Sequence, residues 1–284
     1  MTQTLEVGIL YGIAAAILFG SGDYLGGRAA KGIEIRRVML ASQCAALVVS
    51  AFGSLVVRGA LRPSDLGYGV GAGLSAAVGL GLLYRALAIG RAGLVAPLTA
   101  VTGALVPVTW GVARGERPSA LAMVGVVVAV SAAALIAREQ TETDVGPAGA
   151  GIALAAGLAL GLGFVCYAST SDDSGLWPLL SSRVASVAFT GIVLAAVRTR
   201  IDAKPLDRRL LRLALSAGAF DASGTICLIA GVRTELAVLV AAICALAPGF
   251  TVIWSWVFLR ERLGRIQTVG IALALLGLVA IAAG

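Results

Sequence analysis

A chain of 284 residues that is 59% hydrophobic and only 13% charged cannot cover its surface with polar groups, since soluble domains carry about 25% charged residues. Its net charge of +7 is spread over short connections, which suits loops at a membrane surface and excludes a nucleic-acid groove. The chain has no histidine, so Ser-His and Cys-His catalysis and histidine metal sites are excluded as well.

Apolar runs of about 20 residues recur along the whole length, each long enough to cross a ~30 Å hydrocarbon layer as a helix. The alternation over ~10-residue segments that a membrane barrel requires is absent. The expected fold is all-α: a polytopic membrane protein with ten transmembrane helices arranged as two inverted five-helix repeats. The expected spans are 7–27, 37–57, 66–90, 92–113, 119–137, 148–170, 177–197, 209–231, 236–259 and 265–283.

Span 1 has no basic flank before it and no clear cleavage site, so it reads as a membrane span and not as a leader. Gly8, Gly12, Ala16 and Gly20 form a four-residue-spaced stripe along it, on which another helix backbone can approach closely in lipid. About a turn before its end, "LFGSGDYLGG" places Asp23 and Tyr24. A carboxylate inside the membrane costs roughly 2.5–3.5 kcal/mol on insertion scales and asks for a partner or for water. Span 3, with Gly69 and Gly73, finishes on the same side, and Tyr84 and Arg85 lie about a turn from its end. An Asp23–Arg85 ion pair is therefore expected, as a fixed staple or as a gate. Span 4 carries Pro97, Thr99, Thr102, Pro107 and Trp110. Its prolines free backbone carbonyls and permit bends, and a buried indole N–H needs a partner that a cavity can supply.

The polar segment "AREQTETDVGPAG" after Ala137 separates a first unit, 1–138, from a second, 148–284, with 139–147 as linker. Span 6 repeats the small-residue spacing at Gly157 and Gly161 and ends near Tyr167. Span 8 runs between Arg212 and Arg233, so Asp221 lies close to the bilayer midplane, with Ser223 and Thr225 beside it. A side chain so short and so deep cannot snorkel. Arg183 enters span 7 from the opposite end, and at ~1.5 Å rise per residue its guanidinium comes within reach of Asp221. Span 9 adds Pro248, Thr251 and Trp254. Tyr24, Tyr84 and Tyr167 suit either an interfacial belt or a cavity wall, and the hydroxyls suit either a wall or the carbonyl one turn back. Cys44, Cys166, Cys227 and Cys244 all fall in apolar runs and are expected as buried free thiols.

A shift of 145 residues lays Gly115-Glu116-Arg117 over Arg260-Glu261-Arg262, Leu94-Val95-Ala96 over Leu239-Val240-Ala241, and Gly12 and Phe19 over Gly157 and Phe164. With an odd number of spans per half, the second copy enters the membrane in the opposite sense, an architecture common among secondary transporters. Most basic residues, including Arg28, Lys31, Arg36, Arg37, Arg198, Arg208, Arg209 and Arg265, fall in the connections 1–2, 3–4, 5–6, 7–8 and 9–10. The positive-inside rule places those connections in the cytoplasm and both termini outside it.

The ten spans in two halves, "LFGSGDYL" near the end of span 1, "RGER" and "LRER" before spans 5 and 10, and Pro248 thirteen residues before Glu261 resemble the EamA family of the drug/metabolite transporter superfamily. The resemblance covers essentially the whole chain. It departs from the family pattern at Gly103, which stands where the second half has Pro248, and at Asp23 and Asp221, positions often uncharged. It implies a central cavity lined by spans 1, 3, 4, 6, 8 and 9, and export of amino acids and related metabolites or movement of other small polar solutes.

The expected function is that of a secondary transporter, an exporter of small polar or zwitterionic metabolites such as amino acids, working by alternating access in a bacterial inner membrane. Asp221 would meet a substrate ammonium or carry a coupling proton. The alternatives are a multidrug or quaternary-amine exporter, a channel, or an intramembrane enzyme. For the enzyme, "TSDDSG" (Thr170 to Gly175) is the one acidic cluster near a membrane face, and it lacks paired Asp-rich motifs. An ATP-driven pump would need a phosphate-binding G-x-x-x-x-G-K-[ST] loop, which is absent. The expected substrate-binding residues are Asp221, Asp23, Tyr24, Tyr84, Arg85, Thr99, Trp110, Tyr167, Arg183, Ser223 and Trp254. No catalytic residue, metal, cofactor or nucleic-acid partner is expected. Internal duplication makes a monomer sufficient for a pathway.

Overall fold

The computed structural model describes residues 2–57, 59–115, 119–142, 146–171, 173–196, 207–232, 240, 243–244, 246–260 and 264–283. Among these described residues ten helices follow in chain order: α1 (Thr2–Ala30), α2 (Ile35–Val56), α3 (Pro63–Ile89), α4 (Ala92–Ala113), α5 (Ala120–Glu142), α6 (Gly146–Ala168), α7 (Trp177–Ala196), α8 (Arg208–Val232), α9 (Ala247–Leu259) and α10 (Arg265–Ala283). No strand occurs among the described residues. Six of the helices, α1 to α4, α6 and α8, are long and apolar enough to cross a membrane. The Glu-Arg pairs at Glu116 and Glu261, Asp172, Arg233 and the first part of the expected span 9 lie outside the described residues.

Local chemistry sets several ends. Pro63 opens α3 at a position where its missing N–H would have no helical partner anyway. Arg260, at φ 52, closes α9 in the left-handed region, where a non-glycine residue ends a helix and does not continue it. Pro97 and Pro107 both lie inside α4.

α2 is inside-out by the standard of a soluble protein. Ser42, Gln43, Ser50 and Ser54 are buried, whereas Val48, Phe52, Leu55 and Val56 are exposed. A helix in water turns its apolar face inward; this one turns it outward, as a lipid-facing helix does.

The helices pair mainly across the two halves. α1 packs on α8 and α9, α3 on α6 and α7, α4 on α6, α2 on α8 and α7, and α5 on α10. Glycines make these crossings close. A Cβ at Gly73 would collide with the Ser182 backbone, and one at Gly20 would lie 2.5 Å from the Ala247 carbonyl oxygen. Thr251 donates to the Gly20 carbonyl at 3.2 Å across the same α1–α9 seam. The stripes read from spans 1, 3 and 6 are thus packing surfaces.

The same contacts correct the internal register. Gly20 of α1 backs onto Ala247 and Thr251 of α9, and Gly161 of α6 backs onto Gly103 and Val106 of α4. Ala247 and Thr251 stand 144 and 145 residues after Gly103 and Val106, yet Gly161 stands only 141 after Gly20. The pairing of Gly12 with Gly157 and of Phe19 with Phe164 is therefore displaced by about one turn. The connection between α7 and α8, residues 197–207, is longer than the one between α2 and α3, residues 57–62, and this extra length hid the offset.

Candidate functional site: a cavity floored by an ion pair

A cavity of about 850 Å³ opens at the end of the bundle where α2 meets α3 and α6 meets α7. Phe19 of α1, Ala72, Ala76 and Leu80 of α3, Leu160, Phe164 and Tyr167 of α6, Leu179 and Arg183 of α7, and Asp221, Thr225 and Leu228 of α8 form its wall. Its volume lies within the ~300–1,000 Å³ of small-molecule sites, and its mostly apolar wall with a few convergent polar groups is the usual composition.

Those polar groups belong to one cluster. Arg183 Nη2 lies 2.7 Å from Asp221 Oδ2, with the two side chains 5% and 22% exposed. Arg183 also donates to Thr225 Oγ1 at 3.4 Å, and that hydroxyl donates to the Asp221 carbonyl one turn back at 2.9 Å. The charge contact is not aligned as a hydrogen bond, so Asp221 Oδ2 and Arg183 Nε both retain unused hydrogen-bonding capacity. Tyr167 shares a hydrogen bond of 2.5 Å with Ser182. α7 holds these groups in place through its seam with α3, where Ser186 donates to the Gly73 carbonyl at 2.6 Å and Ser181 to the Leu66 carbonyl at 3.2 Å.

The rim of the cavity is tied by polar contacts. Arg62 pairs with Asp173 at 2.7 Å and donates to Ser171 at 3.3 Å. The Ser171 backbone N–H donates to Asp65 at 3.3 Å, and Trp177 donates its indole N–H to the Gly59 carbonyl at 3.1 Å. "TSDDSG" thus forms part of the rim, with Arg62 as the partner of its second acid. Only a lone arginine ahead of Pro63 signalled this in the sequence.

Below the cavity the bundle closes. Tyr84 is 1% exposed and packs directly on Gly26, while Leu87 packs on Gly27, so α1 and α3 meet at this end. Asp23 faces a narrow cleft at the closed end with Tyr24, Arg28, Lys31 and Ser255. Gly22, next to it on α1, backs onto α8, where an added Cβ would lie 3.5 Å from the Asp221 backbone nitrogen.

The expected Asp23–Arg85 ion pair is not formed. Successive residues of an α-helix point about 100° apart, and α3 commits Tyr84 to the interior, which turns Arg85 out to an exposed position. No described cation pairs with Asp23.

Of the residues expected at the site, Asp221, Arg183 and Tyr167 converge on the cavity, with Tyr84 and Asp23 beneath it. The others lie elsewhere. Thr99 is buried and donates to the Ala153 carbonyl at 3.1 Å, fastening α4 to α6. Trp254 donates to Ser21 at 3.0 Å, and Tyr24 and Trp254 both approach the Phe258 ring, at 5.9 and 5.8 Å, in the α1–α9 seam. Trp110 is 49% exposed on the outer surface, with Arg114 6.0 Å from its ring centre. Ser223 and Arg85 do not line the cavity. The four cysteines are free, but Cys44 is exposed on the outer face and the other three are half-buried, so full burial is not their common state. Phe19, Phe164, Ser171 and Ser174 line the cavity, and sequence reasoning misses them; apolar residues in an apolar helix carry no signal of their own.

Residues 147–283 match the EamA-like transporter family. Eighteen chains of solved structures match as well. One, described only as "Crystal structure of protein", superposes with a TM-score of 0.63 at 19% identity, covering 96% of this chain and 95% of that one. At that identity the likeness is one of fold. No curated protein matches. The family match thus lies on helices α6 to α10 of this integral membrane chain, and the EamA-like transporter family is what that part is similar to.

Proposed function

We propose that this protein is a secondary transporter that carries a small zwitterionic or cationic metabolite, amino-acid-like, by alternating access through the cavity above Arg183 and Asp221. One observation carries this reading: Arg183 and Asp221 meet at the floor of the cavity with Arg183 Nε and Asp221 Oδ2 both without a hydrogen-bond partner. Inside a membrane such unused polar groups are costly, and a cargo carrying a group of each sign satisfies them. A zwitterion fits in full. Its carboxylate meets the free edge of Arg183 and its ammonium meets Asp221.

The cavity opens at one end while Tyr84 and Leu87 close the other, which supports an access cycle in which the ends exchange. The charge distribution of the connections supports export from a bacterial cytoplasm, with both termini outside it and the cavity facing outward. The helix pairs that cross the halves support two inverted five-helix units within a monomer. The rings of Phe19, Phe164 and Tyr167 in the wall favour a second reading, export of a quaternary amine held over aromatic faces. That cargo has no use for Arg183.

Liposome counterflow with labelled amino acids, polyamines and quaternary amines tests both. Saturable, exchange-stimulated flux of an amino acid that is lost in Asp221→Asn and in Arg183→Gln supports the first reading. Flux of a quaternary amine that survives Arg183→Gln supports the second. Absence of counterflow for every solute in the wild type rejects transport of this class.

A further inference from the structure

Gln43 is buried to 1% exposure near the middle of the bundle, and neither its amide oxygen nor its amide nitrogen has a hydrogen-bond partner. Each such group carries the desolvation penalty of a polar atom without a partner. A leucine of similar length would carry no such cost. Gln43 lines neither the cavity nor the cleft at Asp23, so the state seen in this structure makes no use of it.

Its place in the fold supplies a use. Gly73 of α3 backs onto the Ser182 backbone of α7, and Gly218 of α8 backs onto the Ser42 backbone of α2 in the same geometry. Gly218 follows Gly73 by 145 residues, and Ser182 follows Ser42 by 140. At that second offset "LASQCAALVVS" of α2 lies over "LSSRVASVAFT" of α7, with Leu40 on Leu180, Ser42 on Ser182, Ala45 on Ala185 and Ser50 near its like in Thr190. Gln43 falls on Arg183. One member of the pair floors the open cavity; the other is enclosed in the closed half.

We infer that Gln43 is the closed-end counterpart of Arg183: a hydrogen-bonding position for the carboxylate or other polar head of the cargo, used when the opposite end of the bundle opens, an inference that rests on the alternating-access reading above. The exchange replaces a charged donor by a neutral amide. The cargo is then held more weakly once the closed end opens than it is in the present cavity. The enclosed amide raises the energy of the present state and is satisfied in the other, so it also biases the access equilibrium toward exchange.

Side-specific accessibility tests the inference without any cargo. In the full chain with Cys44, Cys166, Cys227 and Cys244 replaced by alanine, Gln43→Cys is exposed in liposomes to a membrane-impermeant methanethiosulfonate, added to either face, with orientation fixed by proteolysis of a terminal tag. Modification is expected from the closed-end face, faster there than from the cavity face by about tenfold or more, as for a minor but populated state. No modification from either face, or equal rates from both, overturns the inference.

Gln43→Leu gives a second test that does not depend on cysteine replacement. Its thermal midpoint is expected to equal or exceed that of the wild type. The KM for flux entering from the closed end should rise about tenfold, the worth of one hydrogen bond, and that from the cavity end should not change. Equal KM shifts from both ends, or none, overturn it. A wild type without counterflow rejects the transport reading instead and leaves the labelling result to decide whether Gln43 meets water.

Discussion

Asp221 and Arg183 lie in a low-dielectric interior, where removing one member of a pair costs more than the pair gains. Arg183→Leu leaves Asp221 without its cation and is expected to lower stability by about 3–5 kcal/mol, seen as loss of monodisperse protein in detergent. Arg183→Lys keeps the charge but loses the planar guanidinium whose Nη2 touches both Asp221 and Thr225; it should fold and transport poorly. Asp221→Asn removes the charge and keeps the shape. Its expected signature is a folded protein with a lowered thermal midpoint and counterflow reduced by about a hundredfold or more, the scale of one charged contact. Asp23 behaves differently because no described cation opposes it: Asp23→Asn should raise the thermal midpoint or leave it unchanged, measured by differential scanning fluorimetry, while slowing transport. A lowered midpoint would mean that Asp23 has a stabilising partner after all. Asp221 was legible in the sequence from its depth alone, and Arg183 from its reach. The fate of Arg85 was not, because depth along a helix is easy to count while azimuth depends on which neighbouring side chain the bundle has already claimed, here Tyr84 against Gly26.

At the scale of the element, glycine seams set the helix spacing. Gly73 and Gly218 touch the backbones of Ser182 and Ser42, so neither position has room for a side chain. Gly73→Val is expected to cost about 1–3 kcal/mol or more by overpacking and to disturb the cavity, since α7 would be pushed away with Arg183 on it. Gly151, where an added Cβ would meet nothing within 4 Å, should accept alanine without loss of transport or thermal stability; a fall in either would contradict the packing of α6. The number and places of the helices were legible because an apolar run of span length has few other folds available. The offset between the halves was only partly legible. Gly12 and Phe19 do find identical residues in α6, but small and aromatic residues recur so often in apolar helices that a one-turn slip still matches well.

Across the whole molecule, the rim contacts form one exposed polar tie between the α2–α3 and α6–α7 connections. Its ion pair, Arg62–Asp173, is half-exposed on both sides; exposed pairs contribute about 0.2–1 kcal/mol and weaken with salt. Arg62→Ala should therefore leave the thermal midpoint within a degree or two and change instead the salt dependence of entry from the cavity end. A large drop in stability would show the rim to be structural. The likeness of the second half to the EamA-like family and the helical architecture were within reach of the sequence. Which end of the bundle stands open was not, since it depends on which half-helices touch across the molecule.

Because the close pairs join one half to the other, the order of synthesis matters. α1 leaves the ribosome long before α8 exists, so the face bearing Gly20 and Gly22 first meets lipid or a chaperone and not its final neighbour. Asp23 enters the bilayer at that stage without the rest of the polar cluster. The first five helices thus form an unfinished surface that waits for the second five to fill it. The two halves, made as separate polypeptides in one cell, should seek each other for the same reason, and biogenesis of this protein is an assembly reaction that happens to occur within a single chain.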